Sequence, residues 1–361
     1  MIRNIPKALL LMTLLFSASC NKKPTTLFET KEVDYLNDTK NNLKGELLNI
    51  SPMGLDNIIV YDSLLLATVQ NPDGQLKVYS LATDREIASL CRQGRASNEM
   101  MNVIDLYGQR YVRNGHLIVP IIDNFQIIKE IDVTESLAQQ KTVVLSSMSS
   151  QHVAFGSTVL LNKDPKQRFQ ITDANYDQKI REKLKPMKYE IVDQDSSIKE
   201  IKLFKNMMTS EEEVYDALNA YMNFATIHPS KNYVIQLFCW MDYILFLDVD
   251  NKKYFAIHQK GTRTFTDNAR HIDDDEISKF GDVAFYDNGF FVLYNDGNNP
   301  FKDEGNKCPD ILQFDLDGNY VQGFHLENTV HRIEYDQKKK RIIGAYVTEE
   351  LLYSYDLSEY M

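Results

Sequence analysis

The feature that most constrains this chain is a short extended hairpin that occurs six times. Each copy has an apolar run, a turn rich in Asp, Asn, Gly, Ser or Lys, and a second apolar run. The six turns lie near residues 62–63, 114–115, 156–157, 229–232, 287–289 and 336–340. Turn residues of this kind between apolar runs are typical of β-hairpins, so we expect an all-β protein built from repeats.

A further strand rich in Tyr, Phe, Ile and Leu follows each hairpin. These strands are predicted at 76–81, 125–133, 168–173, 242–250, 310–317 and 351–357. The spacing from Leu65 in the first unit to Ile343 in the last averages about 56 residues, more than the roughly 40–45 residues of a four-stranded blade. The pattern predicts a six-bladed β-propeller with insertions. A pair of β-sandwiches or a β-helix are the alternative folds.

The last repeat lacks a fourth strand, because only four residues follow 351–357. An unassigned extended segment at 45–50 precedes the first repeat. We expect this N-terminal strand to complete the last blade, which closes the ring and removes exposed sheet edges. The propeller domain is therefore predicted over 44–361, with one short helical insertion.

The first twenty residues have the three parts of a secretory signal peptide. Arg3 and Lys7 give a basic start, residues 8–16 form an apolar run, and small residues at 17–19 precede Cys20. This ending resembles the lipobox of bacterial lipoproteins, in which the Cys thiol is lipidated and the peptide is cut before it. The resemblance implies a signal peptide over 1–19, a lipid anchor on Cys20 and a polar tether over 20–43. A plain signal peptide with an incidental Cys is the alternative.

The residue after the cysteine bears on location. Asn21 stands there rather than Asp, which by resemblance to the lipoprotein sorting rule implies the outer membrane. The tether lacks the acidic residues of a surface-export signal. We therefore expect an outer-membrane lipoprotein of the cell envelope that faces the periplasm.

A family resemblance is carried by the segment between the first two blades. Residues 92–100 read Arg-Gln-Gly-Arg-Ala-Ser-Asn-Glu-Met. They are similar to the Gly-x-Gly-Pro-x-Glu-Phe loop of TolB-like six-bladed propeller lipoproteins, with Gly94 and Glu99 in place and Met100 at the aromatic position. Together with the lipobox and the six hairpins, the resemblance extends over nearly the whole chain. It implies fold and location more than activity.

The longest insertions are unevenly placed. If the strands of each blade are lettered a to d from the channel outward, the stretches 204–222, 258–280 and 295–309 join d to the next a, or b to c. They therefore gather at one mouth of the channel, where loops on a rigid scaffold commonly carry recognition. An amphipathic helix is predicted over 210–222, either as a packed lid or as a partner-binding helix.

Candidate binding residues lie in these connections and in the 92–100 segment. Trp240, the only tryptophan, is predicted at a b-to-c turn, either as a stacking platform for a sugar or peptide or as a core plug. The full set of ligand- or partner-binding candidates is Arg92, Asn98, Glu99, Trp240, Asp242, Arg263, Arg270, His271, Asn295 and Asn298.

Evidence for catalysis or cofactors is sparse. Asp273 and Asp275 are weak candidates for a divalent cation in an acidic loop that lacks EF-hand spacing, so no metal and no other cofactor is predicted besides the lipid. No hydrolase elbow, phosphate loop or dinucleotide motif occurs. Cys91, Cys239 and Cys308 show no zinc spacing and are expected to be core residues or free thiols, although one pair could form a disulfide.

The net charge limits the classes of partner that this chain is expected to bind. The net charge is −11, which argues against a general nucleic-acid binder. We expect a lipid-anchored, non-enzymatic propeller that binds a protein, peptide or glycan partner through one face of the ring. The alternative is a metal-dependent propeller hydrolase, lactonase or lyase with its site at the channel mouth.

Overall fold

The computed structural model describes residues 25–26, 28–124, 127–149, 158–161, 163–164, 166–172, 188–193, 196–205, 223–264, 279–295 and 308–361. Four short strands come first in the chain: β1 (Thr25–Thr26), β2 (Glu29–Val33), β3 (Asn41–Leu43) and β4 (Glu46–Leu47). Twenty-five further strands and the helix α1 (Val133–Gln139) follow in the described part.

These strands form six blades, lettered here a to d from the channel outward. Blade 1 has β5 (Leu55–Tyr61), β6 (Leu64–Val69), β7 (Leu76–Ser80) and β8 (Arg85–Leu90). Blade 2 has a divided strand a, β9 (Val103–Asp105) and β10 (Tyr111–Arg113), then β11 (His116–Asp123), β12 (Ile127–Asp132) and β13 (Val144–Ser149). Blade 3 has β14 (Thr158–Leu160), β15 (Gln167–Thr172), β16 (Lys188–Asp193) and β17 (Ser196–Ile201), and the short β18 (Phe204–Lys205) follows it and pairs with β1.

The second half of the ring continues the pattern. Blade 4 has β19 (Asn223–Ile227), β20 (Tyr233–Phe238), β21 (Tyr243–Asp248) and β22 (Lys253–Gln259). Blade 5 has β23 (Phe280–Tyr286), β24 (Gly289–Tyr294), β25 (Asp310–Asp315) and β26 (Tyr320–Leu326). Blade 6 has β27 (Arg332–Asp336), β28 (Arg341–Tyr346) and β29 (Leu351–Asp356).

Ring closure takes place where the sequence predicts it. β4 lies antiparallel to β29, with Leu47 opposite Tyr353, and supplies strand d of blade 6. The amide of Leu48 adds a hydrogen bond to the carbonyl of Leu352 at 2.8 Å. The prediction of a six-bladed propeller closed by an N-terminal strand is confirmed.

The residues before β4 also belong to the propeller. β2 pairs in parallel with β22 at the outer edge of blade 4, and β3 pairs in parallel with β26 at the outer edge of blade 5. We call residues 29–47 the strap, because they run along three successive blades. The segment predicted as a tether, residues 20–43, includes β2 and β3, which pair with blades 4 and 5.

A tyrosine anchors the strap between blades 4 and 5. Tyr35 is 1% exposed, and its ring lies 5.4 Å from that of Tyr294. Its amide donates to the side-chain oxygen of Gln259 at 3.0 Å. The carbonyl of Val33 accepts from the amide of Lys260 at 2.8 Å. One aromatic side chain and several backbone hydrogen bonds therefore fasten the N-terminal segment to the ring.

The core consists of apolar layers between blades. Ile58 and Ile343 meet between blades 1 and 6, and Ile59 and Val119 meet between blades 1 and 2. The other clusters fill the spaces between blades 2 and 3, 3 and 4, 4 and 5, and 5 and 6. Blades are covered on both faces, so inner strands such as β24 are buried at every position and read as continuous apolar runs.

The strand letters predicted for blade 3 were wrong by one. The stretch 153–161 was expected to be a complete hairpin, with 168–173 as strand c. In the structure β14 is strand a and β15 is strand b. The turn between them is closed by the amide of Asp164 on the carbonyl of Leu161 at 3.0 Å, with Lys163 in the left-handed region.

Helix α1 lies between strands c and d of blade 2. Asp132 caps it by accepting from the amide of Glu135 at 2.8 Å, and Gln140 ends it in the left-handed region. The helix predicted over 210–222 lies outside the described residues. Within the described part, no helix is long or apolar enough to cross a membrane.

Candidate functional site

The two ends of the ring carry different connections. The d-to-a and b-to-c connections leave at one end, which we call the insertion face; the a-to-b and c-to-d turns lie at the other, the turn face. The insertions 204–222, 258–280 and 295–309 fall after β17, after β22 and between β24 and β25, so all three leave from the insertion face, as predicted. The connection 173–187 between β15 and β16 leaves from the same face and was missed because of the lettering error in blade 3.

The segment between blades 1 and 2, residues 92–102, forms what we call the mouth loop. The amide of Gly94 donates to the carbonyl of Met100 at 3.0 Å, and the amide of Met100 donates to the carbonyl of Arg92 at 3.0 Å. The carboxylate of Glu99 turns back into the loop and accepts from the amide of Ala96 at 2.9 Å. A Cβ on Gly94 would lie 1.9 Å from Glu99 Oε2, so a larger residue there would displace the Glu99 carboxylate. Glu99 thus shapes the loop from within.

Buried polar side chains hold the mouth loop from below. Gln75 accepts from the amide of Val103 at 2.8 Å and donates to the carbonyls of Cys91 and Met100 at 3.3 and 3.2 Å. Asp123 accepts from the amides of Met101 and Asn102 at 2.8 and 3.2 Å, and pairs with Lys129 at 2.7 Å. The Lys129 ammonium also donates to the carbonyl of Glu99 at 3.0 Å. The loop is therefore fixed at several points along its length.

A polar cleft of about 360 Å³ lies beside the mouth loop on the insertion face. Its walls come from the b-to-c turn of blade 1, the start of the mouth loop and the entry into blade 2. The lining residues are Asp56, Thr68, Val69, Gln70, Asn71, Pro72, Gln75, Gln93, Asn102, Val103 and Ile104. Five of them carry side-chain amides, and Gln70, Gln93 and Asn102 are exposed. The volume is within the range of roughly 300–1,000 Å³ common for small-ligand sites.

Two arginines of the mouth loop lie within two residues of Gln93, which lines the cleft. Arg92 and Arg95 are exposed on the mouth loop, and neither forms an ion pair with a side chain in the described part of the chain. Asn98, predicted as a binding residue with Arg92, is exposed on the same loop. A rigid loop thus presents two free guanidinium groups and an amide to solvent.

The other described candidates form a second group between blades 4 and 5. Trp240 is half-buried at the b-to-c turn of blade 4, and its indole N–H has no partner among the described residues. Asp242 is buried and accepts from the Tyr294 hydroxyl at 3.2 Å. Asn295 is buried at the end of β24, and Arg263 is exposed after β22.

The candidates therefore share a face without forming one site. Lys279 joins the turn before Trp240 to Asn295, because its amide donates to the carbonyl of Cys239 at 2.7 Å and its carbonyl accepts from the amide of Asn295 at 2.8 Å. The mouth loop belongs to the opposite part of the ring. Cys20, Arg270, His271, Asp273, Asp275 and Asn298 lie outside the described residues.

Residues 105–110, between the two halves of strand a in blade 2, form a channel plug. Tyr107 stacks on Phe224 of blade 4 at 5.4 Å, and its carbonyl accepts from Thr226 Oγ1 at 2.9 Å. Gln109 bonds to the backbone of blade 3 at Thr158 and Leu160, at 2.9 Å each.

The plug also reaches blades 1 and 6. Asp105 accepts from the Asn57 amide of blade 1 and, at 2.8 Å, from the Gly108 amide. The Arg110 guanidinium forms a bidentate ion pair with the Glu334 carboxylate of blade 6, with N–O distances of 2.7 and 2.8 Å. The plug therefore cross-links four other blades around the channel. The sequence contains no repeat signal for it, because it interrupts strand a.

Burial shifts the pKa values of three carboxyl groups in the channel. Burial raises the pKa of Asp282 to about 6, with Arg332 opposing the shift. Burial likewise raises the pKa of Asp105 and of Glu334, and the Arg110 guanidinium opposes the shift of Glu334. Each of the three carboxyls accepts at least one hydrogen bond, although Asp105 Oδ1 has no partner among the described residues. No group of three or more His, Cys, Asp or Glu side chains in the described ranges is arranged to hold a metal ion.

None of the three described cysteines is in a disulfide. Cys91 is buried, while Cys239 and Cys308 are half-buried. Burial raises the pKa of the Cys91 thiol to about 12, so it acts as a small apolar core residue.

Fold and site together define a six-bladed β-propeller protein with a polar cleft at one mouth. No protein-family model and no curated protein matches the sequence. Among solved structures, the fold is similar to that of a Bacteroides fragilis NCTC 9343 protein described as a presumed exported protein, with a TM-score of 0.52 and 11% identity over 92% of this chain and 99% of that one. This likeness extends to the fold alone.

Eukaryotic propellers align less closely. The β-propeller domain of Cps50 (Swd1) from Myceliophteria thermophila gives a TM-score of 0.45 at 10% identity, covering 87% of this chain and 100% of the domain. A chain of the Mitotic Checkpoint Complex gives 0.41 at 11% identity, covering 93% and 94%.

Proposed function

We propose that this chain is a lipid-anchored envelope propeller of the TolB-like lipoprotein kind that binds a glycan in the polar cleft of its insertion face. The observation that carries the proposal is the cleft itself, walled by side-chain amides and fixed by the bonded mouth loop. Paired amide donors and acceptors match the vicinal hydroxyls of sugars. A fixed site loses little ordering entropy when a ligand binds.

The backbone around the cleft favours a glycan over an extended peptide. A peptide that adds to a sheet edge needs free amides and carbonyls. Here the backbone N–H groups of Gln70, Gln75 and Gln93 are already used. They donate to the backbone carbonyls of Gly54, Cys91 and Pro72 at 2.8, 3.2 and 2.8 Å. The amides of Asn102 and Val103 donate to side chains. Gln75 is committed to the mouth loop, Gln93 donates to the carbonyl of Met101 at 3.2 Å, and Asn71 accepts from the backbone amide of Asp73 at 3.0 Å. The groups left to a ligand are therefore the side-chain amides of Gln70 and Asn102, the remaining polar atoms of Gln93 and Asn71, the Asp56 carboxylate and the mouth-loop arginines.

Filling the cleft should abolish glycan binding. Asn102→Trp places a large ring among the exposed amides of the cleft, and we expect the signal of purified protein on an array of bacterial envelope glycans to fall at least about tenfold, which corresponds to 1.4 kcal/mol. Gln337→Trp is the matched control, because Gln337 is also an exposed amide residue but lies in the a-to-b turn of blade 6 on the turn face. That variant should bind as the unmodified chain does.

The lipid anchor on Cys20 is supported by the signal layout and by the reach of the chain. Four residues, 21–24, lie between Cys20 and Thr25, so five Cα-to-Cα steps separate Cys20 from the first residue of β1, which pairs with β18 next to blade 3. At about 3.6 Å per residue the tether spans at most ~18 Å. An acylated Cys20 would therefore hold the ring by its blade 3–4 side, close to the bilayer.

Removing the anchoring thiol should release the protein from the membrane. In Cys20→Ala cells we expect the chain to move from the membrane fraction to the soluble envelope fraction, because acylation at this residue supplies the membrane affinity. Cell fractionation followed by immunoblotting measures the change. Cys308→Ala, at a half-buried thiol, is the control and should remain in the membrane fraction. Retention of uncut Cys20→Ala in the membrane would contradict the anchor.

A further inference from the structure

A second pocket, of about 280 Å³, opens on the turn face at the other end of the channel. It lies where strands a of blades 2, 3 and 4 end. The lining residues are Arg110, Tyr111, Leu160, Lys163, Ile227, His228, Pro229, Ser230, Lys231, Asn232 and Asp250. Three of these side chains are cationic and one is acidic, in a chain whose net charge is −11.

Arg110 is largely buried in an ion pair, whereas Lys163 and Lys231 are exposed at the pocket. The Arg110 side chain is 9% exposed and is held by Glu334. Lys163 sits in a turn whose carbonyl accepts from the Arg113 guanidinium at 2.5 Å. The Lys231 ammonium lies 5.3 Å from the centre of the Tyr233 ring. The one acidic lining residue, Asp250, accepts from the Asn232 amide at 2.9 Å.

The imidazole in the pocket is uncharged. His228 Nδ1 accepts from the amide of Ser230 at 3.1 Å. Burial, followed by the charge of Lys231, lowers the pKa of His228 to about 4. A hydrogen bond with the Tyr286 backbone and the charge of Asp287 oppose the shift, and Arg110 adds to it more weakly. A bound anion would relieve the repulsion from Lys231 and Arg110.

We propose that the turn-face pocket is a second binding site, which takes a phosphate group between Lys163 and Lys231. Lysine ammonium groups act as compact point charges towards phosphate. The Arg110 guanidinium lines the same pocket, but Glu334 already balances its charge. The phosphate belongs either to a free phosphate ester or to a phospholipid headgroup. This site is separate from the glycan cleft, and either can fail without the other.

The test uses inorganic phosphate as the probe on purified full-length protein. Isothermal titration at constant ionic strength should detect binding, and Lys163→Gln with Lys231→Gln should weaken it at least about tenfold. Lys44→Gln with Lys338→Gln is the control, since both lysines are exposed, lie outside the pocket and give the same charge change. Binding lost equally in both double variants, or no binding to the unmodified protein, would overturn the site.

A vesicle flotation experiment distinguishes a phospholipid headgroup from a free phosphate ester. Phosphatidylglycerol vesicles are floated with the Cys20→Ala chain, which cannot be held by its lipid. Flotation that depends on the Lys163 and Lys231 pair assigns a headgroup, while phosphate binding without flotation assigns a free ester. Flotation that is unchanged in the pocket variant and lacks a phosphate signal contradicts the proposal.

Discussion

Replacing Tyr35 by alanine is expected to destabilise the propeller by about 3–5 kcal/mol, the usual cost of removing a large buried aromatic ring. Tyr35 is 1% exposed and packs edge-on against Tyr294 and Phe314, at 5.4 and 6.5 Å. It also fixes the strap across the gap between blades 4 and 5. Its loss therefore removes core packing and loosens the segment that leads to the closing strand β4. Urea unfolding followed by circular dichroism measures the change.

Tyr35→Phe is the control, and its expected result is unusual. The Tyr35 hydroxyl is buried and has no hydrogen-bond partner in the described part of the chain. Burial, with Asp242 adding to it, raises the pKa of Tyr35 well above its ordinary value, so the group stays neutral. Removing an unsatisfied hydroxyl should leave stability equal or slightly higher. Unchanged stability in Tyr35→Ala would show that the strap contributes nothing to the ring.

Arg110→Met is expected to cost about 3–5 kcal/mol at pH 8, the typical penalty for leaving one partner of a buried ion pair alone. The Arg110 and Glu334 side chains are 9% and 6% exposed. Asp105 and Asp282 already raise the pKa of Glu334, after the larger effect of burial. Without the guanidinium, the Glu334 charge is unpaired beside two other carboxyls. Denaturant unfolding at several pH values measures the loss.

The pH dependence of that loss has a definite sign. A carboxyl whose pKa is raised in the folded state contributes stability below its unfolded pKa, and this stability is lost as the pH rises through the folded pKa. Arg110→Met raises the pKa of Glu334 further, so the deficit should be smaller near pH 5 than at pH 8. Replacing Arg110 and Glu334 together by Met should recover most of the stability. A double variant no better than Arg110→Met would contradict the pairing.

Much of the fold could be predicted because hairpin turns and apolar runs are local signals. The strand letters of blade 3 were wrong because we predicted a hairpin turn at 156–157. The structure instead pairs β14 with β15, with the turn between them at 161–166. Helix α1 was missed although Asp132 and Glu135 have the spacing of a capping pair, since the strand before it runs directly into its first turn. Local signals thus predict elements well and the joins between them less well.

The strap could not be predicted, because its strands are mostly polar. β2 reads Glu-Thr-Lys-Glu-Val and none of its residues is fully buried, as expected of a strand added to an outer edge. Its partner β22 lies more than 200 residues later in the chain. Only Tyr35 and Leu43 of the strap are deeply buried, and two isolated apolar residues do not indicate a blade.

The site was only partly predictable for the same reason. The mouth loop was selected by its resemblance to the TolB-like loop, yet the internal role of Glu99 depends on a turn of the chain that spacing does not show. The cleft brings together Asp56, Gln70 and Asn102, which stand in three separate segments. The channel plug depends on left-handed backbone at Tyr107 and Gly108, and only the glycine indicates it in sequence.

The most direct test of the account is the comparison of three chains on one array of bacterial envelope glycans: the unmodified protein, Asn102→Trp and Gln337→Trp. The account predicts that the unmodified protein and Gln337→Trp bind the same glycans with the same strength, and that Asn102→Trp loses at least about tenfold. Binding that Asn102→Trp leaves unchanged, or an array to which the unmodified protein binds nowhere, would contradict the claim that the insertion-face cleft recognises a glycan.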